Sequence, residues 1–140
     1  MNKVIIVGVD GSETSRRAAQ RAAELAVESD SQLIVMTAFS KTATERIEFG
    51  DDAWEVSTKD QAEATADTVA RSLAAIGADI EIVAMRGKPA NALVAEAKRR
   101  KAHLIVVGNR GVQGASRVFG SVARDVLQHA PCDVHVVKTV

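Results

Sequence analysis

A glycine-rich stretch, GNRGVQGASRVFGS from Gly108 to Ser121, has the residue types and spacing of a phosphate-binding loop. It follows the apolar run His103 to Val107, which has the length of a buried strand, and it leads into a segment with helical apolar periodicity. Glycines without a Cβ can take positive φ and let the backbone approach a ligand: Gly108, Gly111 and Gly120. The unpaired N–H groups at the start of the following helix attract anions. The stretch therefore predicts a cradle for phosphate groups.

The elements that must position this loop alternate between strand-like and helix-like segments along the chain. The first apolar run has no polar alternation, which is typical of a parallel strand covered by helices on both faces. The predicted strands are Val4 to Val9, Leu33 to Phe39, Ile80 to Met85, His103 to Val107 and Asp133 to Val137. The first predicted helix follows a cap at Ser12 or Thr14. The other predicted helices span Lys59 to Ile76, with Gly77 as its C-cap, Ala90 to Arg100 and about Arg117 to His129.

Five strands alternating with about four helices predict an α/β fold, a Rossmann-like five-stranded parallel sheet with helices on both faces. Helices on both faces require the strand order to reverse, and an order of 3-2-1-4-5 places strand one beside strand four. Ligands of such sheets bind outside the carboxyl ends of the strands at the reversal. Asp10, after strand one, and the glycine-rich stretch, after strand four, are then expected to face one crevice. Aspartate before glycine is also common in turns, so the residue type alone is weak evidence for ligand binding by Asp10. Its predicted place at the end of strand one is stronger evidence.

Length and charge restrict the classes of protein to which this chain can belong. With 140 residues it is predicted to form one domain, with a core that needs no disulfide or metal. Its 18 basic and 18 acidic residues give a formal net charge of zero, which argues against nucleic acid as a partner. The single cysteine, Cys132, cannot form an intramolecular disulfide, and the run from Val4 to Val9 is too short to span a membrane. A cytoplasmic protein without nucleic-acid or membrane partners is expected.

Three stretches match the pattern of a known family: the VGVDGSETS opening, Arg86-Gly87-Lys88-Pro89, and the block from GNRGVQGASRVFGS to the end. On these residues, and over its whole length, the chain resembles the universal stress protein family. Nucleotide-binding members carry glycine, two residues, glycine, nine residues, glycine and then serine or threonine. Here eight residues separate Gly111 from Gly120, so the loop is one residue short of that pattern. The resemblance implies an adenine nucleotide as ligand, with ATP first and cyclic AMP next.

The resemblance also assigns residues to the parts of that nucleotide. The phosphates would be held by the loop and the helix start: Gly108, Gly111, Gly120, Ser121 and the backbone N–H of Val122. Asp10 would accept hydrogen bonds from the ribose hydroxyls and could meet a magnesium ion, and the backbone of Ala38 would recognise adenine. Val9 and Val107 would supply apolar walls. No residue is assigned a catalytic role.

Three functions stay open at this point. The first is a stress-related homodimer that senses or buffers an adenine nucleotide. The second is a slow Mg-dependent ATPase, although the chain has no Walker-type Gly-x-x-x-x-Gly-Lys-Ser/Thr and no obvious base accompanies Asp10. The third is a nucleotide-independent interaction module, against which the retained glycines and serine count. In all three cases the last strand, as an apolar sheet edge, predicts pairing with a second copy at Val134 to Val137.

The remaining features are predicted to be structural. Lys98 to Lys101 is interpreted as a solvated helix end, because cations in the last turn oppose the helix macrodipole. Cys132 is expected to be a small buried thiol, and the three histidines lack metal-ligand spacing. Ser40 to Thr58 has weak periodicity and is predicted to be a long connection. Arg110 and Arg117 are expected to be solvated residues of the glycine loop.

Overall fold

The computed structural model describes residues 3–39, 58–109 and 120–139. Within these ranges strands and α-helices alternate, which confirms the predicted α/β class. The elements are β1 Val4–Gly8, α1 Glu13–Glu28, β2 Gln32–Phe39, α2 Lys59–Ser72, β3 Asp79–Arg86, α3 Pro89–Arg100, β4 Leu104–Gly108, α4 Ser121–His129 and β5 Asp133–Val137. Apart from Thr58, the predicted long connection lies outside the described residues, as do Arg110 and Arg117. No helix in the described ranges is both long and apolar enough to cross a bilayer.

The strands of these ranges pair in one parallel sheet, in the order β3-β2-β1-β4-β5. The predicted strand order is therefore confirmed. β1 is buried at every residue, as an apolar run without polar alternation predicts. Helices α1 and α2 cover one face of the sheet and α3 and α4 cover the other, and each face has its own apolar cluster. The sheet is thus the middle of three layers.

A row of alanines lets α1 lie close to the centre of the sheet. Ser12 caps this helix, because its Oγ accepts the N–H of Ser15 at 3.2 Å. The side that faces the sheet consists of small residues that are at most 1% exposed: Ala18, Ala19, Ala22, Ala23 and Ala26. Because each of these side chains ends at Cβ, α1 packs directly over β1 and β4.

The caps of α2 agree with the sequence pattern at both ends. Thr58 and Gln61 form a reciprocal capping box at the start of the helix. The α-helix ends at Ser72, and a short 3-10 turn then continues as far as Ile76. Gly77 follows with a φ of 89°, the left-handed conformation that its predicted role as a C-cap requires.

The start of α4 differs from the prediction. Gly120 has φ −61° and ψ 161°, an extended backbone conformation, and it is the N-cap of the helix. The helix therefore begins at Ser121, and the predicted start near Arg117 is wrong. Apolar periodicity does not reveal this boundary, because the cap is a matter of backbone geometry at a single glycine.

The last turn of α3 carries an ion-pair cluster at the amino end of the sheet, centred on one buried carboxylate. The Glu96 side chain is 1% exposed, and its carboxylate accepts hydrogen bonds from Arg99 and Arg100 at 2.6 and 2.7 Å. Arg100 also donates two hydrogen bonds, at 3.0 and 2.6 Å, to the carboxylate of Glu81 in β3. The interpretation of Lys98 to Lys101 as only a solvated helix end is therefore wrong for Arg100, which joins α3 to an edge strand.

The pKa of Glu96 makes part of the stability of the fold depend on pH. Burial by itself raises this pKa, but hydrogen bonds from Arg99 and Arg100 outweigh burial and bring the pKa below its ordinary value of 4.5. A carboxyl whose pKa is lowered in the folded state stabilises the fold above its ordinary pKa. It loses that contribution as the pH falls through the folded-state pKa.

We expect Glu96→Gln to unfold at lower urea concentration than the wild type at about pH 7, because two arginines lose their buried charged partner. Glutamine keeps the shape of the side chain and does not titrate. The difference between the two proteins should therefore shrink as the pH falls to about 3. Urea unfolding curves across this pH range measure it. A difference that stays constant into acid would contradict the lowered pKa.

Thr37 in β2 allows a test of how a buried hydroxyl without a hydrogen-bond partner affects stability. Its side chain is 3% exposed, and no described residue forms a hydrogen bond with its Oγ1. A buried hydroxyl without a partner is costly, so Thr37→Val is expected to raise the free energy of unfolding by about 1 kcal/mol. Urea unfolding measures the change, and Thr68→Val on the exposed side of α2 is the control, with little expected effect. Lower stability of Thr37→Val would mean that the hydroxyl has a partner.

Candidate functional site

A crevice opens at the carboxyl end of the sheet, between β1 and β4. The pairing of these strands extends only to Val7 and Val106. Beyond that point each strand stays with its other neighbour: the N–H of Val9 donates to the Met36 carbonyl at 2.8 Å, and β4 remains paired with β5 as far as Gly108. The two central strands therefore separate where the strand order reverses, as expected for a ligand-binding edge.

Asp10 lies at the mouth of this crevice, directly after β1, and is half-buried. The N–H of Ser12 donates to Asp10 Oδ1 at 2.9 Å, and the N–H of Asp10 donates to the Ser15 Oγ at 3.3 Å. These bonds hold the turn that leads into α1. The structure thus shows a turn-forming role for the aspartate, and its role toward a ribose stays a prediction.

Gly108 and Gly120 lie at the two ends of the glycine loop, and neither has a positive φ. In the part of the chain that the structure describes, positive φ among glycines occurs at Gly11, Gly77 and Gly87. The expected positive φ is therefore absent at Gly108 and Gly120, and Gly111 lies outside the described residues. A Cβ on Gly108 would lie 3.5 Å from the Thr14 carbonyl oxygen and 3.6 Å from the Thr139 side chain. Those are ordinary contact distances, so an alanine would fit there.

The absence of a side chain matters more at Gly120, because this residue is the N-cap of α4. Serine, threonine, asparagine and aspartate are preferred at an N-cap because their side-chain oxygens accept an N–H of the first turn, and a glycine has no such oxygen. The first N–H groups of an α-helix have no partner within the helix, and the macrodipole makes this end positive. Ser121 and Val122 form this first turn at the same end of the sheet as the crevice. The arrangement suits a phosphate group.

The two predicted apolar walls, Val9 and Val107, lie on opposite faces of the sheet. Ala38 and Val107 are buried in the cluster under α3 and α4, and Val122 packs against the same cluster. Val9 is 0% exposed and belongs to the opposite cluster, under α1 and α2. The structure therefore brings Ala38, Val107 and Val122 together on one face. The Val9 side chain does not share that face.

Helices α3 and α4 start beside each other, which the sequence did not indicate. Their first turns line a cavity of about 30 Å³, formed by Lys88, Pro89, Ala90, Asn91, Ser121, Val122 and Asp125. A space of this size holds about one water molecule. The cavity is therefore too small for a nucleotide, and Lys88 places a cation near the start of α4. Lys88 is part of the Arg86-Gly87-Lys88-Pro89 stretch that carries the resemblance, but the sequence pattern assigns it no role.

A second set of contacts that the sequence did not indicate joins the glycine loop to the end of the chain. Asn109 Oδ1 accepts the backbone N–H of Thr139 at 2.8 Å and its Oγ1–H at 2.9 Å. Arg17 in α1 donates from Nη1 to the Thr139 carbonyl at 3.3 Å. We call these three residues the C-terminal clamp. Asn109 and Thr139 are thirty positions apart, and the sequence pattern assigns neither of them a role, so only the structure brings them together.

The described residues hold no cluster of three or more His, Cys, Asp or Glu side chains that could bind a metal ion. Burial, together with the neighbouring charge of Asp133, raises the pKa of the Cys132 thiol. The thiol is therefore protonated near neutral pH, which suits a packed side chain rather than a nucleophile. What the described residues offer chemically is a crevice, a carboxylate at its mouth and a helix start with glycine as its N-cap.

Comparison with known proteins finds a match to the family model described as "Universal stress protein family", over residues 1–138. A universal stress protein from Mycobacterium tuberculosis is 36% identical over 142 residues, and the match covers 98% of this chain and 97% of the relative. The chain and this relative therefore have nearly the same extent.

Solved structures of the same kind share the fold. A universal stress protein in complex with cAMP superimposes with a TM-score of 0.76 at 33% identity, covering 99% of this chain and 98% of the other. A universal stress protein from Archaeoglobus fulgidus in complex with dAMP gives a TM-score of 0.69 at 29% identity, covering 99% of this chain and 100% of the other. The likeness thus extends over the whole sheet and both helical layers.

Proposed function

The chain belongs to the universal stress protein family, and we propose that it binds an adenine nucleotide in the crevice between β1 and β4. The observation that carries the proposal is that β1 and β4 separate after Val7 and Val106, at the end of the sheet where α4 begins with Gly120 as its N-cap. Similar chains of the same fold have been solved with cAMP and with dAMP, which supports an adenine nucleotide as ligand.

The proposed contacts follow the order of groups in the nucleotide. The phosphate lies at the start of α4, against the N–H groups of Gly120, Ser121 and Val122, with Gly108 and Gly111 at the other side of the loop. Asp10 accepts hydrogen bonds from the ribose. Adenine lies toward the end of β2, where the backbone of Ala38 recognises it beside the side chain of Val107. Val9 contributes only through its backbone, because its side chain is buried on the opposite face.

The site is proposed to prefer nucleotides that carry one phosphate. ATP was the first expectation from the sequence. The ligands of the two similar structures, cAMP and dAMP, each carry one phosphate, and the loop here is one residue shorter than the pattern of nucleotide-binding relatives. We therefore propose that cyclic AMP and AMP bind more tightly than ATP. Magnesium near Asp10 would matter only for the longer nucleotides, whose additional charge it offsets.

In the cell, such a protein would act through the occupancy of this site. We propose a cytoplasmic homodimer that senses or buffers an adenine nucleotide during stress. The family supports the role in stress, the composition of the chain supports the compartment, and the free edge of β5 supports the dimer.

Gly120→Ser separates fold stability from nucleotide binding. The backbone of Gly120 is already extended, as an N-cap requires, so a serine Oγ can accept an N–H of the first turn. We expect the free energy of unfolding to rise by a few tenths of a kcal/mol. Affinity for cyclic AMP should fall about tenfold, because the serine oxygen competes with phosphate for the same donors. Calorimetric titration and urea unfolding measure the two effects.

Gly120→Ala is the matched control, since it adds a Cβ without an acceptor. It should bind cyclic AMP more tightly than Gly120→Ser does, and it should not gain stability. Equal loss of affinity in both variants would assign the effect to crowding and not to the N–H groups. Wild-type affinity in Gly120→Ser would place the phosphate elsewhere. A wild type that binds none of cyclic AMP, AMP, ADP and ATP would refute the proposed function itself.

The dimer prediction rests on the direction of backbone groups in β5. The N–H of Asn109 donates to the Val137 carbonyl at 3.0 Å, so the backbone of Val137 faces β4. Successive residues of a strand present their N–H and C=O groups to alternate sides, so those of Val134 and Val136 face away from β4. Among the described strands, β5 has a neighbour on one side only. Its outer groups are available to a second copy of the chain.

Val136→Pro should convert the dimer to a monomer at micromolar concentration. Proline removes one outward N–H and leaves the ladder to β4 intact. Val136→Ala keeps the N–H and should remain a dimer, so it controls for the lost side chain. Sedimentation velocity distinguishes the two states. A monomeric wild type, or a dimeric Val136→Pro, would contradict pairing at this edge.

A further inference from the structure

We propose that the segment after β5 positions the first residues of the glycine loop for nucleotide binding, with Asn109 and Thr139 as positioning residues. The contacts that support this are those of the C-terminal clamp. The inference rests on the proposed function, because the affinity of the site for a nucleotide is its readout.

One oxygen atom ties the loop to the end of the chain. Asn109 Oδ1 accepts both the backbone N–H and the Oγ1–H of Thr139, at 2.8 and 2.9 Å. The N–H of Asn109 donates in turn to the Val137 carbonyl at 3.0 Å. Three hydrogen bonds therefore fix both the backbone and the side chain of Asn109 relative to β5 and the residues that follow it.

Thr139 is held from its other side as well. It is 4% exposed, and its carbonyl accepts a hydrogen bond from Arg17 Nη1 at 3.3 Å. The carbonyl of Thr14, in the first turn of α1, and the side chain of Thr139 both approach the position that a Cβ on Gly108 would occupy. Thr139 therefore lies between the start of α1 and the end of β4, and it links the two.

The hydrogen bonds of Thr139 restrain Gly108 and Asn109, which are beyond the last residues of β4 that pair with β1. Gly108 and Asn109 follow the last β1–β4 pair, at Val7 and Val106, and Gly108 has no side chain to anchor it. On the side of β4 away from β1, the pairing with β5 and the C-terminal clamp hold these two residues in place. If their backbone sampled other positions, a smaller fraction of molecules would have a competent loop, and the apparent Kd would rise in proportion.

Thr139→Val tests the clamp with the smallest change. Valine keeps the shape of the side chain and the backbone N–H, and it removes only the hydroxyl. We expect the Kd for cyclic AMP to rise about fivefold. Thr139→Ser keeps the hydroxyl and should bind like the wild type. Asn109→Ala removes the acceptor of both hydrogen bonds and should weaken binding more than Thr139→Val does.

Arg100→Met is the control for a loss of stability alone. It disrupts the ion pairs with Glu81 and Glu96 at the opposite end of the sheet, so it should lower the midpoint of urea unfolding without changing the Kd. Hydrogen exchange at the Asn109 amide gives an independent readout. It should become faster in Thr139→Val relative to the global unfolding rate, and not in Arg100→Met.

The possible outcomes separate the two proposals. A wild type that binds cyclic AMP, together with a Thr139→Val of unchanged affinity, would overturn the positioning role and leave the proposed function intact. Equal loss of affinity in Thr139→Val and Arg100→Met would also overturn it, since stability alone would then explain the effect. A wild type without affinity for any adenine nucleotide would overturn both proposals. Weaker binding in Thr139→Val, with rescue by Thr139→Ser, supports the clamp.

Discussion

The reversal of strand order between β1 and β4 is the constraint on which the rest of the structure depends. Strand β1 lies at the centre of the sheet, with β2 and β3 on one side and β4 and β5 on the other. Helices α1 and α2 therefore cover one face and α3 and α4 cover the other. That requirement explains why β1 is apolar at every position and why the face of α1 toward the sheet is made of alanine. It also leaves a crevice where the pairing of β1 with β4 stops.

The two ends of the sheet differ in role: the amino end contributes to stability, and the carboxyl end is the proposed binding site. At the amino end, Arg100 ties α3 to β3 through Glu96 and Glu81, and stability there depends on buried charge. At the carboxyl end, the N-cap residue of α4 is Gly120, which has no side-chain oxygen to offer to the first turn of the helix. We propose that the phosphate of the nucleotide lies against the N–H groups of that turn.

Much of this architecture can be predicted from local patterns. Apolar runs identify the strands, Gly77 marks the end of the helical segment before β3, and the alternation of strands with helices leads to the observed strand order. The start of α4 is not predictable in this way, because periodicity carries no information about the extended backbone of Gly120. The ion pair of Arg100 with Glu81 and the contact of Asn109 with Thr139 are hidden for a different reason. They join residues nineteen and thirty positions apart, and only the packed sheet brings those residues together.

The most direct test of the nucleotide site is an NMR titration of the ¹⁵N-labelled protein with cyclic AMP, followed at the backbone amides. We expect the chemical shifts of the backbone amides to change together at five residues, namely Asp10, Gly108, Gly120, Ser121 and Val122. Those of Glu96 and Arg100, at the opposite end of the sheet, should stay unchanged. Shifts confined to other surfaces, such as the cavity of about 300 Å³ between α3 and α4 beside Val94 and His129, would contradict the crevice as the nucleotide site.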